Sequence, residues 1–383
     1  MSDPKRLKVL SIAHPAMTAD GGRLRYYEMA KRDDIDVHLV VPALWYQFGR
    51  TLYADPSTDP RLTLHVLPIA LPRAGPMSWY LHFYPGLRRL IRELDPDVIH
   101  LWEEPWSFVA LQARFLKRRA AMVMEVDQNI LKRLPPPFEW IRKQVLGHTA
   151  HVLSRSPDAT AVVRARGYHG PVTSIGYGVD LSNFSADGAP LTPRAIRPDF
   201  RIGYVGRLVE EKGLDDALDA MKIANTPVQL AIMGEGPHEA RLRQRIAELG
   251  LGDRVTIRGW GTPADVAAFL RSLDVMILLT RTTKTVREQF GRVIVESQAC
   301  GIPVIGSKGG AIPDVVGEGG WIVPERDPAA LALLLDRIAV HPDMLQEKGV
   351  AAQANVTDRC TYRAVADDLL SACEAAAASA TRA

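Results

Sequence analysis

The chain has 383 residues, 47% of them apolar and 24% charged, and a net charge of +3. That length suits two domains of ordinary size with soluble, globular composition. So small a positive excess argues against a dedicated nucleic-acid binder. Leu7 to Ala13 reads as an apolar strand that runs into His14 and a loop ending at Gly21-Gly22. Leu24 to Arg32 then reads as a helix, and Ile35 to Val41 and Leu62 to Pro68 as strands. Trp79 to Glu93 is amphipathic and stops at Asp95-Pro96-Asp97, before the strand Val98 to Leu101. Helix and strand alternate onward through Phe108 to Lys117, Ala121 to Val126, Phe138 to Leu146, Ala150 to Leu153, Asp158 to Arg166 and Val172 to Ile175. Strands written as continuous apolar runs, separated by helices, indicate a parallel sheet covered on both faces.

From Tyr177 to Phe200 the periodicity gives way to a turn-rich stretch, the best linker candidate. A second alternating series follows. Its strands are Ile202 to Val205, Val228 to Met233, Val255 to Ile257, Val275 to Leu279, Val304 to Gly306 and Ile322 to Val323. Its helices are Leu214 to Met221, Glu239 to Leu249, Asp265 to Leu270, the segment around Glu296, and Pro328 to Val340. The predicted organisation is an α/β domain over 1–180, a linker over 181–199, a second α/β domain over 200–360, and an Ala-rich helix over 361–383 that is free to cross back to the first domain. Two such domains imply a cleft between them, the preferred place for a ligand.

The chemistry concentrates in R-E-Q-F-G-R-V-I-V-E-S-Q-A-C-G-I-P-V-I-G-S, residues 287 to 307. Val293, Ile294, Val295 and Ala299 form a helical apolar stripe, with Gly301 as its C-cap and Pro303 beyond the stop. Glu296 is then a carboxylate within an apolar helix, costly unless ligand hydroxyls or an internal cation answer it. Glu288 stands just ahead of that helix, and Gly291 lets backbone approach a ligand. Arg207 and Lys212 follow the first strand of the second domain, where two cations suit a diphosphate; a solvated cluster with Glu210 and Glu211 is the bland alternative. Gly234, Gly259 and Gly309-Gly310 each follow a later strand and allow turns close to a ligand. Those at Gly234 and Gly259 serve equally as ordinary turns, and Trp260 beside Gly259 serves equally as packing. Gly21-Gly22 offers amides in the same manner, or is a plain turn. In the first domain His14, His100, Glu103, Glu104 and Asp127 fall at strand ends, where a lone histidine is as often a hydrogen-bonded structural residue. HExxH, a compact His/Cys cluster and GxSxG are all missing, so neither a protein-held metal nor a nucleophile elbow is expected.

Together these motifs resemble the retaining, nucleotide-sugar-dependent glycosyltransferases of the GT-B architecture, family-4 type. The resemblance spans nearly the whole chain. Its most specific part is Glu288-x-Phe290-Gly291-x-x-x-x-Glu296 with the following A-C-G-I-P-V-I. Gly206-Arg207-Leu208, Lys212-Gly213, Gly234-Glu235-Gly236, Gly178-Val179-Asp180 with Phe184, and Gly309-Gly310 also match. The resemblance implies two Rossmann-like domains facing each other across a cleft. The second would hold a nucleotide diphosphate sugar, with Glu296 on the ribose, Arg207 and Lys212 on the diphosphate, and Glu288, Phe290 and Gly291 at the sugar. Gly234, Gly259 and Arg292 complete the expected donor contacts, Gly22 offers amides from the first domain, and the acceptor binds mostly against that domain. The family commonly has a histidine where this chain has Asp127-Gln128-Asn129, which gives Asp127 a candidate role at the donor sugar.

The resemblance further implies transfer with retention, usually discussed as front-face displacement in which the leaving diphosphate helps deprotonate the acceptor. Double displacement through Glu288 is the alternative. No cofactor beyond the donor substrate is expected, and no metal, since protein cations and amides can carry the diphosphate charge. A nucleotide-sugar 2-epimerase or a phosphorylase of the same architecture, and a non-catalytic binding module, remain the competing readings. Base, sugar, acceptor and oligomeric state stay open. Region 73–92 mixes aromatics with arginines, which fits either an ordinary helix with solvated arginines or contact with a membrane surface and a bulky or lipid-linked acceptor. Three cysteines that cannot all pair and lack CxxC spacing fit a reduced, cytosolic chain. No apolar run reaches transmembrane length, and the opening M-S-D-P-K-R-L-K lacks a following signal-peptide core, so a cytoplasmic location, or a peripheral one at the inner membrane face, is expected.

Overall fold

The computed structural model describes residues 6–47, 50–71, 77–191 and 200–382. Residues 73–76 of the aromatic-basic region and 192–199 of the expected linker lie outside the described residues. The chain divides into two compact units, one made of Met1–Gly178 with Tyr362–Ala383, the other of Val179–Thr361.

The first unit carries β1 (Leu7–Ile12), β2 (Ile35–Pro42), the hairpin β3 (Leu44–Gln47) and β4 (Arg50–Tyr53), β5 (Thr63–Leu67), β6 (Val98–Leu101), β7 (Ala121–Val126), β8 (His151–Ser154) and β9 (Val172–Ser174). Seven of them pair in parallel in the order β5-β2-β1-β6-β7-β8-β9. β6, β7 and β8 are buried at every residue, which is why they read as apolar runs. One face packs against the helices Leu24–Met29 and Tyr362–Arg382, the latter adding Val365, Leu369, Leu370, Cys373 and Ala376 to a core with Val9, Met29 and Val123. The other face is covered by the helices Phe108–Leu116 and Phe138–Leu146, with Leu10, Met122 and Ile141 inside.

The second unit carries β10 (Phe200–Val205), β11 (Val228–Met233), β12 (Val255–Arg258), β13 (Val275–Leu278), β14 (Val304–Ser307) and β15 (Gly320–Val323). All are parallel, in the order β12-β11-β10-β13-β14-β15. Residues 181–191, the described part of the expected linker, are fastened to this unit. The Leu191 amide donates to the Ala268 carbonyl, and Arg271 donates to the Ala189 and Ser185 carbonyls.

Both sheets reverse their winding once, between β1 and β6 in the first unit and between β10 and β13 in the second. In open α/β sheets a ligand crevice opens at that reversal, beyond the carboxyl ends of the strands.

Besides the unread β3–β4 hairpin and the short helix Ile312–Val316, two longer stretches depart from expectation. The stretch Trp79 to Glu93 is not one helix: Ser78–Leu81 ends at His82, whose backbone is extended, and Leu87–Leu94 starts afresh. Pro85 lacks the amide a continuous helix needs, and Gly86 weakens it further. The helix Pro342–Arg359 went unread because its apolar stripe is thin, with Leu345, Ala352 and Val356 widely spaced among charged residues. Among the described residues, no helix is long and apolar enough to cross a membrane.

Candidate functional site

At the reversal of the second unit, the loops after β10 and β13 meet through side chains. Lys212 donates to Glu288 Oε2 at 2.5 Å, and the Thr280 hydroxyl donates to the same oxygen at 2.8 Å. Lys212 arrives on a single turn of 3-10 helix, Glu210–Lys212, closed by Gly213. Glu288 precedes Gly291, whose φ of +82° caps the helix Arg292–Ala299 in a conformation that suits glycine. Arg207 is exposed at the end of β10, and its carbonyl accepts from the Tyr204 hydroxyl at 2.9 Å, which fixes the turn while leaving the guanidinium to solvent.

Glycine turns follow the neighbouring strands, and one of them packs directly on Glu288. Gly234, with φ of +149°, follows β11, and a Cβ there would run into the Gly206 carbonyl oxygen. Only a residue without a side chain lets the β10 and β11 turns approach so closely. Gly310 packs on the Glu288 backbone, whose carbonyl accepts from the Ala311 amide at 3.0 Å. Gly259 lies exposed after β12, beside the Glu235 carboxylate, and Trp260 next to it is 51% exposed. Trp260 is therefore no core residue. Phe290 is buried.

Glu296 sits in the middle of its helix, with its side chain 19% exposed and, among the described residues, Arg292 4.0 Å away as its ion-pair partner. Burial raises its pKa, and the distant Arg292 only partly offsets this. Val293 on the same helix is only half-buried, so the apolar stripe is narrower than the sequence suggested.

The first unit holds a different arrangement. Asp127, at the end of β7, is gripped by Arg155 Nε at 3.1 Å and accepts from the Tyr177 hydroxyl at 3.2 Å. Burial pushes its carboxyl up to about 6. Beneath it, Glu125 receives both Arg25 Nη1 (3.0 and 2.9 Å) and Arg155 Nη2. Arg25 lies 3.7 Å over the Trp102 ring, and Arg155 3.9 Å over the Tyr177 ring. Gly22 belongs to a π turn, Ala19–Arg23, and packs its backbone on Trp102, which brings it into the same neighbourhood as Asp127. Glu104 accepts the Asp127 and Gln128 amides at 3.2 and 3.1 Å, and burial together with Asp127 pushes its carboxyl up to about 8.

His14 and His100 are both internal. His100 Nδ1 is 3.2 Å from Ser11 Oγ, and burial drives its pKa well below 6.5, helped by Arg25 and Arg155. His14 closes β1 against Glu103 at the end of β6: its amide donates to Oε1 at 3.0 Å, and its Nδ1 is 2.8 Å from both carboxylate oxygens. Burial opposes ionisation of Glu103, yet His14 and His82 draw its carboxyl down to about 2. The sequence shows no compact histidine cluster, but the fold assembles one, His14, His82 and Glu103, from residues up to 89 positions apart.

The fold therefore joins Lys212 to Glu288, packs the Gly310 turn on Glu288, and brings Gly22 near Asp127. Among the described residues Glu296 has Arg292, four positions earlier on the same helix, as its ion-pair partner. Sequence reading passed over Thr280, Arg25, Glu125, Arg155, Tyr177 and His82. Arg155 follows β8 and Thr280 follows β13, so the strand-end rule that found Glu103 would also have found these two. Arg25 and Glu125 gave no signal, because each sits inside an element that reads as ordinary helix or strand.

Two doubly wound parallel α/β units in one chain are the build of the GT-B class of fold. Residues 194–354 match the family described as glycosyl transferases group 1, and residues 26–183 match glycosyltransferase family 4. The phosphatidyl-myo-inositol mannosyltransferase of Mycobacterium leprae is 33% identical over 360 residues, 87% of this chain and 90% of that protein. WcaL of Salmonella typhimurium, named for colanic acid biosynthesis, is 32% identical over 206 residues, 51% of this chain; the match spans about half (48%) of that relative's length. Anabaena Alr3699/HepE, solved in complex with UDP-glucose, superposes with a TM-score of 0.66 over 96% of this chain and 99% of that one, at 20% identity. The chain belongs to the family-4, group 1 glycosyltransferases.

Proposed function

We propose that this protein transfers a sugar from a nucleotide diphosphate sugar to an acceptor hydroxyl, with retention at the anomeric carbon. The observation that carries the reading is the Lys212–Thr280–Glu288 cluster at the reversal of the second sheet, with the Gly310 turn packed on Glu288 and the exposed Arg207 guanidinium on the preceding turn. Two cations of that kind suit a diphosphate, Arg207 by bidentate pairing and Lys212 as a point charge.

In this reading the donor displaces the internal pairing of Lys212. The diphosphate takes the ammonium, and the freed Glu288 carboxylate accepts sugar hydroxyls. Glu296, poorly compensated where it stands, gains ribose hydroxyls as partners, which relieves the cost of its burial. Gly234, Gly259, Phe290, Gly291 and Arg292 shape the remaining donor contacts. Gly22 and Asp127 are assigned to the donor sugar from the first unit, with Arg155 and Tyr177 fixing the Asp127 carboxylate.

The bond between the anomeric carbon and the diphosphate oxygen breaks with its electron pair leaving on the diphosphate. The new bond forms from the acceptor oxygen on the same face, and the acceptor proton passes to the departing diphosphate. Arg207, Lys212 and the turn amides stabilise the charge that builds there, the kind of contribution that strengthens in the transition state. No cofactor enters the transfer step.

A thermal-shift screen with UDP, GDP, ADP and dTDP and their sugar conjugates tests the reading. A ligand bound only by the native chain raises the unfolding temperature. One nucleotide giving a shift that Glu296→Ala and Arg207→Ala abolish supports the assignment and names the base; no shift with any of them at millimolar ligand sinks it. Product analysis with the selected donor then separates transfer from epimerisation, which alters the donor without an acceptor, and from phosphorolysis, which requires phosphate.

A further inference from the structure

His14, His82 and Glu103 lie at the reversal of the first sheet, buried, with one ligand atom from each within 4.8 Å of the others. His14 closes β1, Glu103 follows β6, and His82 is the extended residue that breaks the expected helix. The roles of the His82 nitrogens follow from its partners. Nδ1 is 2.8 Å from the Ser78 carbonyl oxygen, which can only accept, so Nδ1 carries the proton. Nε2 is fully buried and, among the described residues, has no hydrogen-bond partner. It faces Glu103 Oε2 at 3.7 Å, beyond hydrogen-bond reach. The same oxygen is 2.8 Å from His14 Nδ1.

Two imidazole nitrogens thus converge on one carboxylate oxygen whose companion, Oε1, is already held by the His14 amide. Neighbouring ligand atoms on a tetrahedral zinc, each bonded at about 2.0–2.1 Å, stand roughly 3.3 Å apart. The observed 2.8 and 3.7 Å straddle that spacing. The second requirement is a partner for the far nitrogen of each ligating ring, and the Ser78 carbonyl supplies it for His82. Trp45 Nε1 and the Tyr84 hydroxyl are also buried without a partner among the described residues, and their rings lie 5.0 and 6.1 Å from the His82 ring. Trp79, edge-on to His14, is 42% exposed, so on that side one ring lies between His14 and solvent.

We propose that the first unit binds one divalent first-row transition metal, zinc being the model ion, through His14 Nδ1, His82 Nε2 and Glu103 Oε2. Two histidines and one carboxylate form a donor set for zinc or a neighbouring ion rather than for magnesium or calcium. The ion ties the end of β1, the end of β6 and the 78–82 segment together. It is separate from the diphosphate chemistry of the second unit, so the inference does not depend on the proposed transfer.

The test uses the full chain without a polyhistidine tag, stripped by chelator and titrated with Co(II), then with Zn(II). Expected are visible Co(II) bands that saturate at about one equivalent, bleaching when Zn(II) displaces cobalt, and a Zn(II)-dependent rise in unfolding temperature. His82→Gln and Glu103→Gln each abolish the bands. If one variant does not fold, the other and the wild-type spectrum still decide. Wild-type chain that gives no saturable bands and no zinc-dependent shift overturns the proposal. So does binding that survives in either folded variant, which reports an adventitious ion only. Magnesium, run in parallel, is expected to shift nothing.

Discussion

The two sheets reverse at equivalent places and treat them in opposite ways. In the second unit the crossing loops bring a lysine and a carboxylate together while both stay partly open to solvent, and Arg207 beside them is exposed. In the first unit the corresponding loops bury their ionisable groups: His14 against Glu103, and one strand further on Arg25 and Arg155 around Glu125. A pair that keeps an edge to solvent is cheaper to separate than one sealed inside, so an incoming anion can take the lysine. A buried pair is costly to separate, so it holds geometry instead. The same topology therefore yields a receptive surface in one unit and a rigid charged scaffold in the other.

The contrast is most easily broken at Arg25. Arg25→Met leaves Glu125 buried with Arg155 and, 3.3 Å away, the His100 ring as its remaining partners, and should lower unfolding free energy by about 3 kcal/mol, read from the urea midpoint. A change below 1 kcal/mol would mean that the buried network is not the scaffold described. Lys212→Ala should do the reverse. Turnover falls by about 10²–10³-fold, the scale for losing one charge-stabilising donor, while the urea midpoint barely moves. A large loss of stability with normal turnover would erase the distinction between the units.

Glu296→Gln sharpens it from another side. The unliganded protein should be as stable as wild type or more so, since a poorly compensated buried carboxylate is removed. Nucleotide affinity should drop about tenfold or more, from the loss of hydrogen bonds to a charged group. Calorimetric titration with the nucleotide chosen by thermal shift measures both the affinity and the control. The smallest effect is a pH dependence. His100 titrates well below 6.5 in the folded chain, because burial, Arg25 and Arg155 all disfavour its charge, so below pH 6.5 the unfolded chain binds the extra proton. Stability is then whole above that pH and declines on acidification by about 1.4 kcal/mol per pH unit from this group. His100→Gln should flatten that limb of a stability-versus-pH curve.

What could be read in advance follows the kind of signal. Parallel strands buried on both faces write themselves as apolar runs, so β6, β7 and β11 were legible residue for residue. The candidate residues Arg207 and Asp127 were legible because they follow recognisable strands, and Glu288 because it stands just ahead of a recognisable helix. The pairing of Lys212 with Glu288 was not, since it depends on strand order, and β13 sits beside β10 only because the winding reverses. His82 was hidden by an amphipathic pattern that Pro85 and Gly86 interrupt, and its convergence with His14 and Glu103 is purely three-dimensional. The docking of Tyr362–Arg382 also left no local trace, for an Ala-rich helix suits many surfaces.

That last helix has a consequence for how the chain is made. It supplies Val365, Leu369, Leu370 and Cys373 to the core of the first unit, yet it is encoded after the whole of the second. On the ribosome the second unit, continuous from Val179 to Thr361, has every residue it needs before the first does. The earlier-synthesised sheet must wait on the order of tens of seconds, at ordinary translation rates, with one apolar face covered in part by Leu24–Met29 and otherwise open. Vectorial synthesis thus inverts the order of completion. The window of exposed surface belongs to the part of the protein that emerged first, and that is where a nascent-chain chaperone would be needed.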